Sequence, residues 1–413
     1  MSTDTTSDRR SWPAGEWPRV SLAFSAFLLL LCSYYILRPV RDEMGVQTGV
    51  QHLQWLFTGT FVATLLVVPV FGAVVRHLQR SKVLPVVYAA VIATLLGFQL
   101  AFSAGVTTTK AAAFFIWLSV FNLLVVSLFW SRVSDVFGKE QSHRLYGHIA
   151  AGGTTGALLG PALTTVLARY LTVDGLLALS ATLLAAATLC MVALGRHAAV
   201  HGPSAVRPIG GSILAGITLT LRRPGLRGIA LLVICYSAVS TVLYVEQLDL
   251  ARERFPDSGE RTSFFAAIDL AVNTLAITVQ LFVTRRVVVR GGLRTALSVV
   301  PALVLGGLGM LLAWRSAIAV AAVQWIHRAG DYALMRPGRE MIYTTVEPES
   351  RYKAKNFIDT AVYRANDALS AWAVAGIRGA GLDAILWMGL PVALLWLATG
   401  LRTGRRHDRN EPT

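Results

Sequence analysis

The sequence predicts an all-α membrane protein with about twelve transmembrane helices in two six-helix bundles. Three observations carry that prediction. Of its 413 residues, 54% are hydrophobic and only 15% charged, where a soluble domain carries about 25% charged residues. Apolar runs recur along the whole chain, each near the roughly 17–25 residues that cross a bilayer. Between these runs, basic residues crowd every second link, which is how orientation is written into a membrane protein.

The elements follow in order. A polar tail, 1–19, has no small-residue cleavage site after the first apolar run, so that run reads as a retained helix. The first six spans are read near 20–41, 55–75, 83–104, 111–131, 145–168 and 175–195. A second six are read near 226–247, 262–284, 293–313, 316–336, 356–377 and 382–401. The bundles are accordingly read as 20–196 and 226–401, joined by a basic linker, 197–225, and followed by a tail, 402–413. Within the linker, ILAGITLTLRRP has the pattern of a short amphipathic helix lying on the inner surface.

Charge supports the count. Links expected inside carry Arg76, Arg80 and Lys82, then Arg132, Lys139 and Arg144, and later Arg285, Arg286, Arg290 and Arg294. Links expected outside carry Lys110, Arg169, Arg315 and Arg378, or are dominated by acids such as Glu246, Asp249 and Glu253. Both termini are therefore expected in the cytoplasm of a bacterial cell, with the chain spanning the inner membrane. The net charge of +15 does not imply nucleic-acid binding, because the excess sits in these short links. Cys32, Cys190 and Cys235 fall singly inside apolar spans and read as lone core thiols, against a disulfide framework or zinc site. No cofactor is expected, and the chain is expected to function as a monomer.

A weak internal echo relates the halves. GAVVRHLQRSKVL links spans two and three, and TRRVVVRGGLRTAL links spans eight and nine. Two six-span bundles with echoing links are the architecture of the major facilitator class, whose substrates sit near midplane between the repeats.

The candidate site residues are charges inside apolar spans. Each costs roughly 2.5–3.5 kcal/mol to insert, so such residues usually face a watery cavity and pair with one another. The first span ends in SYYILRPVRDEMG, placing Arg38, Arg41 and Asp42 at its end with Tyr34 and Tyr35 a turn inward. Pro39 weakens the backbone bonding there, as where a helix lines a cavity. Glu246 reads as a solvated acid at the outer end of span seven. Asp269 and Asn273 lie one turn apart inside span eight, where Asp269 reads as a proton-coupling group or the partner of an arginine. Arg328 and Asp331, three residues apart in span ten, are expected to pair. Asp359, Arg364 and Asp367 share one broad face of span eleven. Gly152, Gly156 and Gly160 recur every four residues with Pro161 adjacent, a stripe that reads as close helix packing.

The run DYALMRPGREMIYTTVEPESRYKAKNFIDTAVYRAND resembles a characteristic segment of the ATP/ADP antiporter family, nucleotide transporters of plastids and intracellular bacterial parasites. The family pattern there is K-Y-S-L-F-D-P-T-K-E-M-x-Y, followed by K-G-K-x-x-I-D-V-V-x-x-R-x-G-K-S. Tyr332, Leu334, Pro337, Glu340, Met341 and Tyr343 match the first part. Lys353, Lys355, Ile358, Asp359 and Arg364 match the second. LRPVRD resembles the family's L-R-x-x-K-D through Leu37, Arg38 and Asp42, and FWS with HRLYG resembles F-W-x with K-R-F-Y through Phe129, Trp130, Arg144 and Tyr146. Four lysines of the family patterns are replaced. Arg41 and Arg339 replace lysines, keeping the charge but substituting a planar fork for a point donor. Asp331 and Asp367 replace lysines with acids, which would repel an ATP-sized polyanion.

The resemblance implies a secondary transporter working by alternating access, exchanging an anionic phosphorylated solute such as ATP or ADP. Arg38, Arg41, Tyr34, Tyr35, Arg328, Arg339 and Arg364 are the expected substrate contacts. Asp42, Asp269, Asp331, Glu340, Asp359 and Asp367 are the expected gating or coupling acids. Two alternatives stay open: proton-coupled transport of another small solute through Asp269 or Asp367, and a non-transporting receptor or scaffold. No GxxxxGK[ST] sequence is present, and no nucleophile or metal-ligand spacing points to an enzyme.

Overall fold

The computed structural model describes residues 16–78, 80–137, 139–196, 213–314, 316–344 and 346–410. Most of the N-terminal tail, linker residues 197–212 and the last three residues lie outside the described residues.

The six spans expected in the first half are helices α1 (Trp17–Thr48), α2 (Leu53–His77), α3 (Arg80–Ser103), α4 (Thr108–Val136), α5 (Lys139–Leu167) and α6 (Val173–Arg196). The amphipathic stretch of the linker forms α7 (Ile213–Arg222). The second half contains α8 (Pro224–Arg254), α9 (Ser258–Val279), α10 (Arg285–Ala313), α11 (Ala317–Gly330), α12 (Arg336–Thr344), α13 (Pro348–Asn356), α14 (Tyr363–Ile377) and α15 (Leu382–Asn410). No strand occurs among the described residues. Three π-helical segments, Gln280–Thr284, Asp331–Met335 and Phe357–Val362, join α9 to α10, α11 to α12 and α13 to α14. Spans eight, ten and eleven are therefore each a helix interrupted by one wide turn.

Among the described residues, eight stretches are long and apolar enough to cross a membrane, and one of them, Ser258–Ala313, has at 56 residues the length for two crossings. The remaining crossings are α5, the α11–α12 unit and the α13–α14 unit, whose glycines and charges dilute their hydropathy. The double-length stretch corrects one expectation. The arginine-rich link expected near residue 290 is a helical extension of α9, and the chain reverses at Gly292 (φ 66°, ψ −178°). There the Asp408 carboxylate on α15 accepts from the Leu293 and Arg294 amides at 3.0 and 3.1 Å, capping the new helix start from a neighbouring helix.

Two cores organise the molecule. One draws its buried side chains from Val20 to Leu194, and the other chiefly from Leu226 to Trp396. In the first half, α1 packs along α5 and α6. The glycine stripe explains the closeness of α1 and α5: a β-carbon on Gly152 or Gly156 would lie 2.3 Å from the carbonyl oxygens of Phe24 and Leu28. Ser33 and Ser180, with hydroxyls 2.8 Å apart, tie α1 to α6. In the second half, α10 packs along α15, while α8 contacts α11, α14 and α15. The halves meet through α5 against α9, α2 against α14, and α1 against α9 and α8.

One end of this junction is sealed. Val46, Val50, Leu53, Leu56 and Phe115 come from the first half but are buried in the core of the second. Arg261 at the start of α9 holds Glu43 of α1 through two contacts of 2.7 Å. Arg378 grips Asp249 at 2.5 and 2.6 Å and also donates to the Val50 carbonyl of the first half.

Candidate central cavity

A cavity of about 890 Å³ lies between the two halves. Its wall comes from α1, α2 and α4 on one side, and from α8, α9 and the interrupted α11–α12 and α13–α14 units on the other. Burial grades along it. Arg38 and Arg328 are 15% and 9% exposed, while Arg336, Glu340 and Lys355 are 54%, 55% and 41% exposed. The cavity therefore opens at the α12–α13 end, opposite the seal formed by Glu43 and Arg261.

At its depth, two arginines from different halves converge on one acid. Arg38 of α1 lies 3.3 Å from Asp269 Oδ1, and Arg328 of α11 donates to the same oxygen at 2.6 Å. Asp269 is buried, and its Oδ2 has no hydrogen-bond partner among the described residues. One carboxylate thus serves two guanidinium groups. Asn273, one turn further along α9, donates to the Ala157 carbonyl at 2.7 Å and so joins α9 to α5 rather than to the charges.

Around this centre the charges are locally paired. Arg41 donates to Asp42 Oδ1 at 2.6 and 3.0 Å, and the Tyr244 hydroxyl from the other half donates to the same atom at 2.9 Å. Arg364 lies 3.6 Å from Asp367, which accepts from the Ser237 hydroxyl at 2.6 Å. Arg364 also donates across the junction to the Ser119 carbonyl at 3.3 Å. Nearer the mouth, Asp331 accepts from Arg336 at 2.7 Å and Arg339 at 3.4 Å, and Lys355 pairs with Glu340. Asp359 lines the cavity there with its side chain exposed.

Of the residues expected to form the site, all line this cavity except Asp269, which stands behind Arg38 and Arg328. The expected pairing within span ten is corrected. Arg328 reaches sideways to α9, and Asp331 instead takes Arg336, five residues on. The π turn accounts for this, because its wider spacing stacks residue i+5 over residue i. Glu246 is likewise not solvated: α8 continues to Arg254, well past the expected span end, and Glu246 is fully buried within it.

The sequence reading missed three features. Glu43 and Arg261 were hidden because they lie 218 residues apart and each looks like an ordinary helix-end charge. Ser119 and Ser237 carry no distinguishing pattern. Tyrosines from both halves line the cavity, with Tyr236, Tyr244, Tyr332, Tyr343 and Tyr363 joining Tyr34 and Tyr35. Their signal was available as polar-tipped rings inside spans, where a buried hydroxyl needs a partner.

Comparison with known proteins agrees with this geometry. The nucleoside transporter NupG covers 96% of the chain and 100% of its own length at a TM-score of 0.67 and 11% identity. The POT family transporter PepTSo gives a TM-score of 0.67 at 12% identity, covering 97% of this chain and 99% of that one. In sequence, the chain is 29% identical over 164 residues to "ADP,ATP carrier protein 1" of Chlamydia muridarum and 27% identical to that of Chlamydia trachomatis serovar D. Each match spans 35% of this chain and only 31% of the relative. The family model of the Major Facilitator Superfamily matches residues 22–326. With that match over most of its length and two helical bundles closing around a polar cavity, the chain belongs to the Major Facilitator Superfamily.

Proposed function

We propose that the chain is a secondary active transporter that exchanges an anionic, phosphorylated organic solute by alternating access across a bacterial inner membrane, with both termini cytoplasmic. The observation that carries this reading is the convergence of Arg38 and Arg328, one from each half, on the single carboxylate of Asp269. Guanidinium forks suit phosphate oxygens. An anion arriving between the two arginines competes with Asp269 and binds both halves at once, so occupancy is coupled to their relative position. The partial similarity to ADP,ATP carriers supports a nucleotide-like cargo.

In this reading, residues 20–196 and 226–401 are the two moving units. Arg38, Arg41, Arg328, Arg339 and Arg364 contact the anion, with Tyr34 and Tyr35 against its body. Asp42, Asp269, Asp331, Glu340, Asp359 and Asp367 balance these bases and act as the gating or coupling acids. The sealed Glu43–Arg261 end is the external gate, and the open α12–α13 end faces the cytoplasm.

The test is thermal stabilisation of purified protein by ATP, ADP, other phosphorylated metabolites and non-phosphorylated anions, followed by counterflow in proteoliposomes. Phosphorylated anions are expected to stabilise the protein and to exchange. Arg38→Ala and Arg328→Ala are each expected to reduce counterflow at least tenfold while the protein remains folded. Stabilisation by a neutral solute alone, with counterflow unaffected in both variants, would sink the reading.

A further inference from the structure

We infer that the cavity selects an organic anion of low charge, with one anionic group seated between Arg38 and Arg328 and an otherwise uncharged, ring-containing body. This rests on the transporter reading and narrows its substrate.

The inference begins with charge. Among the described residues, seven bases line the cavity: Arg38, Arg41, Arg328, Arg336, Arg339, Lys355 and Arg364. Five acids line it with them, and Asp269, in contact with Arg38 and Arg328, is a sixth. The formal excess is a single positive charge. Its position follows from the pairs. Arg41 with Asp42, and Arg364 with Asp367, are neutral couples. At the mouth, Arg336, Arg339 and Lys355 face Asp331, Glu340 and Asp359, three charges against three. The excess therefore resides at the depth, where two arginines share one oxygen of Asp269.

A transported ligand must be enclosed as the cavity closes at one end before opening at the other. In that water-poor state every uncompensated charge is strongly penalised. A ligand with one negative charge leaves the enclosed cavity neutral. A nucleoside triphosphate would leave a large negative excess, and its outer phosphates would lie among the balanced charges of the mouth, where the described residues offer no excess of base. The remaining wall suits an uncharged body. Tyr34, Tyr35 and Tyr332 line the cavity together with Arg38 and Arg328, and Gln280 and Asn122 add amides. A flat heterocycle or a hydroxylated ring fits such a lining, through stacking and neutral hydrogen bonds. A phosphodiester carries one charge and a phosphomonoester about 1.5 to 2 at neutral pH, so the preference falls at that end of the phosphate series.

The experiment holds the base constant and varies charge. Binding of adenosine 3′,5′-cyclic monophosphate, AMP, ADP and ATP is measured by thermal stabilisation at fixed ionic strength, and exchange by counterflow. The expected order of affinity is cyclic AMP and AMP above ADP, and ADP above ATP, with at least tenfold between the ends. Asp359→Asn removes an exposed acid from the mouth and is expected to improve ADP and ATP by roughly threefold per added ligand charge relative to cyclic AMP. Lys355→Gln is expected to move the order the opposite way. Affinity that rises from cyclic AMP to ATP overturns this inference while leaving anion exchange standing. An order unmoved by both variants also overturns it. Failure of all four probes, together with failure of every other anion in counterflow, overturns both readings.

Discussion

Asp269 is the residue on which the two halves of the molecule agree. It is 1% exposed, and its one engaged oxygen holds Arg38 and Arg328 while the other has no partner among the described residues. Removing one partner from a buried ionic cluster leaves charges without compensation, which costs about 3–5 kcal/mol. Asp269→Ala is therefore expected to lower stability by about 3 kcal/mol, read as a drop in the thermal midpoint in detergent. Arg328→Gln added to Asp269→Ala is expected to restore part of that loss, because it removes one orphaned cation. A double variant no more stable than Asp269→Ala alone would show that the arginines find other counter-ions. At this scale the sequence was half legible. It marked Arg38, Asp269 and Arg328 as charges too costly to bury without purpose. It did not pair them, because the contacts join α1, α9 and α11, and local spacing argues only for neighbours three or four residues apart.

Among the elements, two of the three crossings that hydropathy supports least carry much of the site. α11–α12 and α13–α14 hold Arg328, Asp331, Arg339, Asp359, Arg364 and Asp367, and both are interrupted by π segments. A π turn leaves backbone groups less regularly bonded and re-aims the side chains around it, and such turns recur at functional sites. The opposite case is the stripe on α5, where function is packing. Gly156→Val would drive a side chain into the Leu28 carbonyl of α1 and is expected to abolish folded expression. Gly147→Val on the same helix, where an added β-carbon meets nothing within 4 Å, is expected to be tolerated. Fluorescence size-exclusion of the two variants checks this, and equal expression would contradict the close approach of α1 and α5. The four-residue spacing made this stripe legible, since glycines on one helix face mean contact whatever the partner. The helical extension through Arg285–Gly291 was not legible, because an arginine-rich link reads as a loop until the reversal at Gly292 is seen.

At the scale of the whole molecule, two cores leave a polar seam that is sealed at one end and open at the other. The seal is ionic and bridges the halves through Glu43 and Arg261, with Gln47 donating to the Ser258 hydroxyl at 3.4 Å beside it. If the seam alternates, this end must separate. Gln47→Cys with Ser258→Cys, in a background lacking Cys32, Cys190 and Cys235, is expected to be bridged by a short bis-methanethiosulfonate reagent, a crosslink that stops counterflow and is reversed by reductant. Full counterflow in the crosslinked protein would show that this end does not open. The number of crossings, their order and the division into halves were readable from the chain, because lipid demands runs of fixed length and the links record orientation in their charge.

The sequence by itself determined the membrane fold and most of the residues at its centre. Both follow from local rules: apolar length, glycine spacing, and the high cost of a charge inside a span. The tertiary structure alone decided which charge answers which. It turned Arg328 from Asp331 to Asp269, gave Asp331 to Arg336, and closed one end with Glu43 and Arg261. Those choices depend on how helices far apart in the chain are brought side by side, and a pattern of neighbours along one helix does not contain them.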